Sequence, residues 1–241
     1  MKLQNGVQID PPIKKEAYKR PFDLGLLLFA HVLLLPLWLL LWTLIPVAIW
    51  LGDRGPVFYK QRRAGKDGQI FTVRKFRTMA ANADLKGPVW TIQGDPRLTR
   101  VGKILRRTAL DELPELWSVF KGDMSFVGPR PLEEKEQSQL EDQIPGFRQR
   151  LMVRPGLTGL AQVYDPTDHA IDKFKFDLEY LERLSPWLDV KLVFLSVLNS
   201  LGARWDRRTG KPQAGEEELS ESRSSLPQDE LVSNDHSSSH H

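Results

Sequence analysis

The segment from Leu24 to Leu51 contains no charged residue, and no other feature of the sequence constrains the fold as strongly. As one straight helix it would extend about 42 Å at 1.5 Å per residue, which exceeds the ~30 Å hydrocarbon core of a bilayer. Pro36 lies near its middle, where it removes a backbone donor and clashes with the preceding turn. We therefore predict two helical arms that break at Pro36, roughly 18 and 24 Å long, neither of which spans the core alone.

Basic residues flank this segment on both sides. They are Lys14, Lys15, Lys19 and Arg20 before it and Arg54, Lys60, Arg62 and Arg63 after it. Because positively charged flanks stay in the cytoplasm, both ends of the segment are expected on that side. We therefore favour a re-entrant hairpin over a tilted, kinked full span, and both over a buried helix of a soluble protein. His31 is expected to hydrogen-bond near the break or to a headgroup, not to bind a metal.

The rest of the chain has the composition of a folded domain with an anion-binding region. Of its 241 residues, 41% are hydrophobic, which is enough for a core. The formal net charge is only +3, but residues 54–77 are strongly basic, which favours anionic partners. The absence of cysteine excludes disulfides, thiolate metal sites and a cysteine nucleophile. We interpret the polar tail from about Arg207 as disordered.

The periodicity of the soluble part indicates mixed α and β structure. A β-hairpin is predicted around the turn at residues 65–68, and a basic helix from Leu98 to Arg107. From Asp111, apolar residues recur at helical spacing and predict a helix that ends at Gly122: Leu113, Leu116, Trp117 and Phe120. Further predictions are an acidic helix between residues 132 and 145, a short strand after residue 156, and helices at 171–184 and 188–201. The last helix is apolar enough either to lie in a membrane interface or to pack against the core.

The pair Asp111-Glu112 has two interpretations. Asp111 could be the N-cap of the following helix, with Glu112 complementing the helix dipole and Pro114 tolerated in the first turn. Alternatively, the pair is an active site, because Arg106, Arg107, Lys121 and Arg130 lie near it in the sequence. Adjacent helical residues do not face each other, so the two carboxylates are expected to have different roles. A carboxylate kept ionised by arginines can attack phosphorus or hold Mg²⁺, which needs only one or two protein ligands.

Four stretches resemble the bacterial sugar transferase family, the monotopic phosphoglycosyl transferases that start glycan assembly on a polyprenol carrier. They are "KRPFDLGLL", "GPVFYKQRRAGKDGQIFTVRKFRTM", "DPRLTRVGKILRRTALDELPELWSVFKGDMSFVGPRP" and "RPGLTGLAQV". The resemblance covers about residues 18–202, and its motifs are long and in a fixed order. The chain is similar to the minimal, short form of the family.

The resemblance implies transfer of a sugar 1-phosphate from a UDP-sugar to undecaprenyl phosphate, with release of UMP, at the cytoplasmic face of the bacterial inner membrane. It implies that Asp111 is the nucleophile of a covalent phosphosugar intermediate and that Glu112 is its catalytic partner and the ligand of a Mg²⁺ cofactor. It also implies that Pro36 is the break in the membrane helix. The substrate phosphates are expected to be bound by Arg106, Arg130, Lys75 and Arg77.

The sequence departs from the family pattern in two places. Leu35 precedes the helix-breaking proline where the family usually has serine, so a hydroxyl that could satisfy the broken backbone is missing. After "GLAQV" many members continue with Asn-Gly-Arg, whereas this chain has Tyr164-Asp165-Pro166. This loop therefore gives no basis for assigning the sugar.

Together these observations predict an α+β fold with a re-entrant membrane hairpin, a small cytoplasmic domain of helices with a β-hairpin, and interfacial amphipathic helices. The expected divisions are an N-terminal segment at 1–17, the hairpin at 18–52, the catalytic domain at 53–205 and the tail at 206–241. The expected partners are a UDP-sugar, undecaprenyl phosphate and the lipid bilayer, without nucleic acid; homo-oligomerisation stays open. The competing hypothesis is a non-catalytic, membrane-tethered basic domain that binds anionic lipid or polymer.

Overall fold

The computed structural model describes residues 16–81, 83, 95–165 and 169–201. The helices are α1 (Lys19–Leu33), α2 (Leu35–Asp53), α3 (Arg100–Thr108), α4 (Leu116–Lys121), α5 (Glu134–Gln143), α6 (Leu160–Tyr164), α7 (Ala170–Arg183) and α8 (Pro186–Leu201). The strands are β1 (Phe58–Ala64), β2 (Ile70–Phe76), β3 (Ser125–Val127) and β4 (Gly156–Thr158). This mixed architecture agrees with the predicted α+β class. The predicted disordered tail lies outside the described residues.

The apolar segment is broken at Leu34, which has φ −108° and ψ 21° and separates α1 from α2. Pro36 lies in the first turn of α2, where its missing N–H leaves no hydrogen bond unmade. The indole Nε1 of Trp38 donates to the carbonyl of Ala30 at 3.1 Å. A tryptophan therefore bonds to a backbone carbonyl beside the break, where the sequence lacks the usual serine. His31 hydrogen-bonds the carbonyl of Leu27 and stacks on Trp38, which confirms its expected place near the break.

The α2 helix is longer than the sequence suggested, because it continues through Asp53. Its 19 residues correspond to about 28 Å, compared with about 22 Å for the 15 residues of α1. Among the described residues, α2 is the one helix that is long and apolar enough to cross a membrane by length and composition. The prediction that neither arm could span alone is therefore wrong for α2 on those two criteria.

Both distal ends of this helix pair contact the rest of the domain. At the start of α1, Lys19 donates to the carbonyl of Val127 at 2.7 Å, and Asp23 accepts from the backbone N–H of Phe126 at 3.0 Å. Near the end of α2, Ile45 and Ile49 are buried in a cluster with Phe76 of β2 and Leu105 of α3. The two roots of the helix pair are thus attached to the same body, whereas most apolar side chains closer to the break are exposed.

Two small sheets organise the domain. Strands β1 and β2 form the predicted antiparallel hairpin, with Gln61 opposite Val73. Strands β3 and β4 pair in parallel, with Val127 opposite Thr158. A Cβ on Gly128 would lie 2.4 Å from the carbonyl oxygen of Arg154, so this close approach requires glycine. The strand expected after residue 156 is therefore present, and α6 follows it directly.

The apolar face predicted for the helix after Asp111 is not a core face. Trp117 and Phe120 are 54% and 50% exposed, whereas Val119 is fully buried against Val73 and Met124. The cause is the preceding turn, Leu110–Glu115, which is a 3₁₀ helix. Three residues per turn instead of 3.6 shift the angular position of every residue that follows. The i, i+3, i+4 pattern consequently does not mark one face across this segment.

The α8 helix packs against the core, which is one of the two arrangements that its sequence left open. Asp189 and Leu192 are fully buried toward β3 and α7. On its other side Trp187, Phe194 and Leu201 are 82%, 62% and 79% exposed. One face of α8 therefore belongs to the core, and the opposite face presents apolar side chains to the surroundings.

Candidate active site

The turn Leu110–Glu115 places three carboxylates between α3 and α4. Ala109, with φ 56°, ends α3 and reverses the chain into this turn. The N-cap of this turn is Ala109 and that of α4 is Glu115, and no hydrogen bond from a backbone N–H to the Asp111 carboxylate is described. Interpretation of Asp111 as a helix N-cap is therefore wrong, because the carboxylate lacks the bond that defines that role.

Glu112 is held by two cations from different parts of the chain. Its Oε1 accepts from Nζ of Lys75, on β2, at 2.7 Å and from Nη2 of Arg130, after β3, at 2.7 Å. Burial alone would raise the pKa of Glu112, but the charges and hydrogen bonds of Arg130 and Lys75 hold its pKa well below the usual range. Glu112 is thus a permanent anion at neutral pH.

Asp111 is in the opposite situation. It is 9% exposed, and no hydrogen bond to its carboxylate is found among the described residues or among the causes of its pKa shift. Burial, and then the charge of Glu112, raise the pKa of Asp111 to about 6, against the opposing charges of Lys75, Arg106 and Arg130. Asp111 is therefore mostly ionised at neutral pH, although it is buried and has no described hydrogen bond; a pKa shifted in this way is common at functional sites.

Glu115 is a third member of this cluster, and the sequence analysis missed it. It is 4% exposed, and its Oε1 lies 3.2 Å from Nζ of Lys75. Burial and the charge of Glu112 raise the pKa of Glu115, while Lys75 lowers it. The spacing of three residues from Glu112 was the available signal, since residues i and i+3 of a helical turn lie on one side.

We name Asp111, Glu112, Glu115, Lys75 and Arg130 the carboxylate cluster. Arg106 lies close enough for its charge to lower the pKa of Asp111, and its Nε donates to Oγ1 of Thr78 at 3.0 Å. Arg107, by contrast, is exposed and is not among the groups that shift the pKa of Asp111. The expectation that Arg107 also keeps Asp111 ionised is therefore not supported by its position.

Arg77 is placed differently from Lys75, although the sequence grouped them. Its guanidinium forms an ion pair with Asp53 at the end of α2 and packs over Gly55. The side chain is buried, and its Nε and Nη1 atoms have no hydrogen-bond partner among the described residues. Arg77 therefore attaches the end of α2 to β2, and its described contacts are not with the carboxylate cluster.

The position of Arg130 depends on a second, buried arginine. Nη2 of Arg150 donates to the carbonyl of Arg130 at 2.7 Å, and its Nε pairs with Asp177 of α7 at 2.8 Å. Both members of that pair are 4% exposed in their side chains. Arg150 therefore fixes the backbone that presents Arg130 to Glu112, a role that no local sequence pattern indicated.

The cluster has a donor set that suits Mg²⁺ only together with a substrate. Among the described residues, no three metal-ligating side chains form a group that could hold a metal by themselves. Asp111 and the Oε2 atom of Glu112 nevertheless offer carboxylate oxygens without other described partners. Since Mg²⁺ is commonly held by one or two carboxylates plus substrate phosphates, these residues fit such a shared site.

Comparison with known families places these residues in context. The family model described as bacterial sugar transferase matches residues 14–203. The chain belongs to the bacterial sugar transferase family. The match includes both helices of the apolar segment and every residue of the carboxylate cluster, so the site described above lies inside the family's shared region.

Three curated relatives show the range within the family. The UDP-glucose:undecaprenyl-phosphate glucose-1-phosphate transferase of Escherichia coli is 42% identical over 64% of this chain and 34% of its own length. The UDP-N-acetylgalactosamine-undecaprenyl-phosphate N-acetylgalactosaminephosphotransferase of Aeromonas hydrophila is 40% identical over 75% of this chain and 44% of its own. A second glucose-1-phosphate transferase, from Caulobacter vibrioides, is 37% identical, with 78% of this chain and 71% of its own length covered. The chain thus spans less than half of the first two relatives.

Proposed function

We propose that this protein transfers a sugar 1-phosphate from a UDP-sugar to undecaprenyl phosphate and releases UMP. Such a reaction is the first membrane step of bacterial glycan assembly, whether of exopolysaccharide, O-antigen, capsule or glycoprotein. The names of all three relatives include undecaprenyl phosphate, which supports this acceptor. The observation that carries the proposal is the contrast within one turn between Glu112, whose Oε1 is bonded to two cations, and Asp111, which is buried without a described hydrogen bond.

The proposed reaction has two displacements at the same phosphorus. A carboxylate oxygen of Asp111 attacks the phosphorus that carries the sugar, the bond from that phosphorus to the bridging oxygen breaks, and UMP leaves with the electron pair. An oxygen of undecaprenyl phosphate then attacks the phosphosugar, and the bond to Asp111 breaks to regenerate the carboxylate. Dividing the transfer in this way avoids bringing two anionic phosphates and a lipid together in one step.

The remaining residues neutralise and orient the diphosphate. Arg130 and Lys75 approach Glu112 from different elements and can shift toward phosphate oxygens, which arginine binds in a bidentate manner. The charge of Arg106 also lowers the pKa of Asp111, so it is a further cation available to the diphosphate. When bound, Mg²⁺ would neutralise charge on the diphosphate of the UDP-sugar and on the departing UMP, and Glu112 with the substrate phosphates would hold it. The role proposed for Arg77 is indirect, through the position of β2 beside α2.

Exchange without the lipid tests this assignment directly. Enzyme, UDP-sugar and Mg²⁺ should incorporate labelled UMP into the UDP-sugar when no acceptor is present. Asp111→Asn should abolish the exchange while UDP-sugar binding remains measurable by calorimetry. Lipid-dependent turnover without exchange would indicate a single displacement in a ternary complex, and the absence of any UMP release would favour the non-catalytic anion-binding domain. A panel of UDP-sugars in the same assay assigns the sugar, which differs among the relatives.

The metal role of Glu112 has its own test. Glu112→Gln removes the charge but keeps the shape, so it should lower exchange and raise the Mg²⁺ concentration for half-maximal rate. Supporting ligands of metal sites typically change affinity or rate by about 10- to 100-fold. Asp123→Asn, a half-buried ion-pair partner of Lys121 that is not part of the carboxylate cluster, is the matched control and should leave the Mg²⁺ dependence unchanged. An unaltered Mg²⁺ dependence in Glu112→Gln would assign this residue to orienting Arg130 and Lys75 alone.

We further propose that α1 and α2 form a re-entrant hairpin in the cytoplasmic leaflet of the inner membrane. The support is that both roots are attached to one domain, through Lys19 and Asp23 at one end and Ile49 and Asp53 at the other. Because one folded domain holds both ends of the α1–α2 pair, both ends must lie on the same side of the bilayer. The chain has no cysteine, so single cysteines at Lys15 and Arg54 can be probed in intact cells with an impermeant thiol reagent. Both should resist labelling, and labelling at Lys15 alone would establish a full span.

A further inference from the structure

Two exposed aromatic side chains lie on α4, the helix that directly follows the turn carrying Asp111, Glu112 and Glu115. The rings of Trp117 and Phe120 stack with centroids 5.4 Å apart and an interplanar angle of 27°. Both side chains are about half exposed, while Val119, on the other side of the helix, is fully buried. We name Trp117 and Phe120 the aromatic shelf. Neither ring belongs to the core clusters of the described residues, so core packing does not explain them.

The shelf is located at the foot of the apolar helix pair. Arg20, in the first turn of α1, donates to the carbonyls of Val119 and Phe120 at 2.6 and 2.5 Å. Leu110 and Leu113, from the carboxylate turn, pack against the buried end of α2. The segment 110–121 therefore contacts both roots of the helix pair. If the pair enters the bilayer, these roots lie at the membrane–water interface, where aromatic side chains are enriched in membrane proteins.

The shelf is also close to the reacting group. Six residues separate Trp117 from Asp111, which corresponds to roughly 10 Å at a rise of 1.5–2.0 Å per residue. A lipid phosphate is a ligand with an anionic head joined to an apolar chain. Such a ligand needs a phosphate site next to an apolar surface that leads toward the bilayer, and the cluster and the shelf together provide that combination.

We propose that the aromatic shelf binds the isoprenoid chain of the acceptor lipid next to its phosphate. The inference rests on the proposed function and adds a site for the lipid part of the acceptor. The size of the surface supports a single isoprenoid chain as the occupant, because two aromatic side chains bury at most about 150–250 Å² each. A stable protein interface buries about 1,200 Å² or more in total, so a second copy of this chain or another protein would require far more surface than this pair offers.

Lipid capture without turnover tests the site first. Undecaprenyl phosphate that carries a photoreactive group near its first isoprene unit should crosslink within residues 116–121, as mapped by mass spectrometry of the full-length protein in detergent micelles. Excess unmodified undecaprenyl phosphate should suppress this crosslink. Because the experiment needs no catalysis, a missing crosslink overturns the shelf, whereas a missing UMP exchange in the wild-type protein overturns the proposed function.

Kinetics then separate a lipid site from general membrane attachment. Trp117→Ala/Phe120→Ala should raise the KM for undecaprenyl phosphate about tenfold, the scale expected for two lost aromatic contacts, while exchange without lipid changes less than twofold. With methyl phosphate, which has no isoprenoid chain, the variant and the wild type should have equal KM values. The matched control is Trp187→Ala/Phe194→Ala on α8, whose side chains are even more exposed. An equal KM increase in the α8 variant would refute the proposal in favour of bilayer anchoring. The same conclusion would follow if the shelf variant lost binding to acceptor-free vesicles in parallel with its KM increase.

Discussion

Two groups of charged side chains in this molecule, one fully buried and one partly buried, differ in how completely they are hydrogen-bonded. In the first, at the root of α1, the ammonium of Lys19 has three acceptors within 2.8 Å: the carbonyl of Val127, the hydroxyl of Tyr180 and the carboxylate of Asp189. Asp189 also accepts from Tyr18 and Tyr180, both at 2.8 Å. We name Tyr18, Lys19, Tyr180 and Asp189 the helix-root cluster.

The charged groups of the carboxylate cluster are less completely hydrogen-bonded. Asp111 lacks a hydrogen-bond partner among the described residues, and three carboxylates share Lys75 and Arg130 as their close cations. Buried polar groups are normally bonded, and exceptions concentrate where strain serves function. The comparison therefore separates a charge pair with complete hydrogen bonding from a cluster with incomplete hydrogen bonding, although both contain lysine and a carboxylate.

The largest expected effect is on stability in the helix-root cluster. Asp189→Asn leaves the fully buried ammonium of Lys19 without its counter-ion, so the free energy of unfolding should fall by about 3–5 kcal/mol. Thermal unfolding in detergent measures the change. The double variant Lys19→Met/Asp189→Asn should lose less than the sum of the two single changes, since no isolated charge remains. Additive losses would show that the pair is not coupled, and the proposed difference between the clusters would fail.

The second effect is the pH dependence of catalysis. The pKa of Asp111 is raised to about 6, so the nucleophile becomes protonated below that pH. The kcat/KM for UDP-sugar should fall about tenfold for each pH unit below 6 and be nearly constant between pH 7 and 8. UDP-sugar is the substrate to vary, because its diphosphate does not titrate in this range. A profile that is flat down to pH 4.5 would mean that Asp111 is not the titrating nucleophile.

The third effect is a gain in stability from Asp111→Asn. A carboxyl whose pKa is higher in the folded state favours folding in its neutral form, and that contribution is lost as the pH rises from about 4 to about 6. At pH 7.5 the free energy of unfolding of the asparagine variant should therefore exceed that of the wild type by on the order of 1 kcal/mol. At pH 4 the difference should largely disappear. Equal destabilisation at both pH values would contradict the placement of Asp111 as a strained, functional group.

The smallest effect concerns Glu115. Glu115→Gln keeps an oxygen that can accept from Lys75 and should lower kcat/KM only a few-fold. Glu115→Ala removes that acceptor and should lower it about tenfold or more, the scale of one hydrogen bond to a charged group. Rescue by glutamine would identify Glu115 as a positioning residue for Lys75. Equal loss in both variants would instead show that its charge matters directly.

Local patterns predicted much of the secondary structure. The β-hairpin, the basic helix that became α3 and the last two helices depend on neighbouring residues, through alternation, helical spacing and turn residues. The break near Pro36 was equally local, because proline acts on its own turn. The orientation of Trp117 and Phe120 was not predictable in the same way, since it depends on the 3₁₀ turn before them.

The sequence by itself determined that the chain has an apolar segment interrupted at Pro36, a basic hairpin and an acidic pair between arginines, and these features carried its resemblance to a family. Only the tertiary structure decided which charges meet. Lys75 and Arg130 lie 37 and 18 residues from Glu112, and the fold brings each to 2.7 Å of it. The physical reason is that hydrogen bonding and burial depend on distances in space, and no local pattern encodes them. Lys19 and Asp189, 170 residues apart and fully buried together, show the same dependence on the fold.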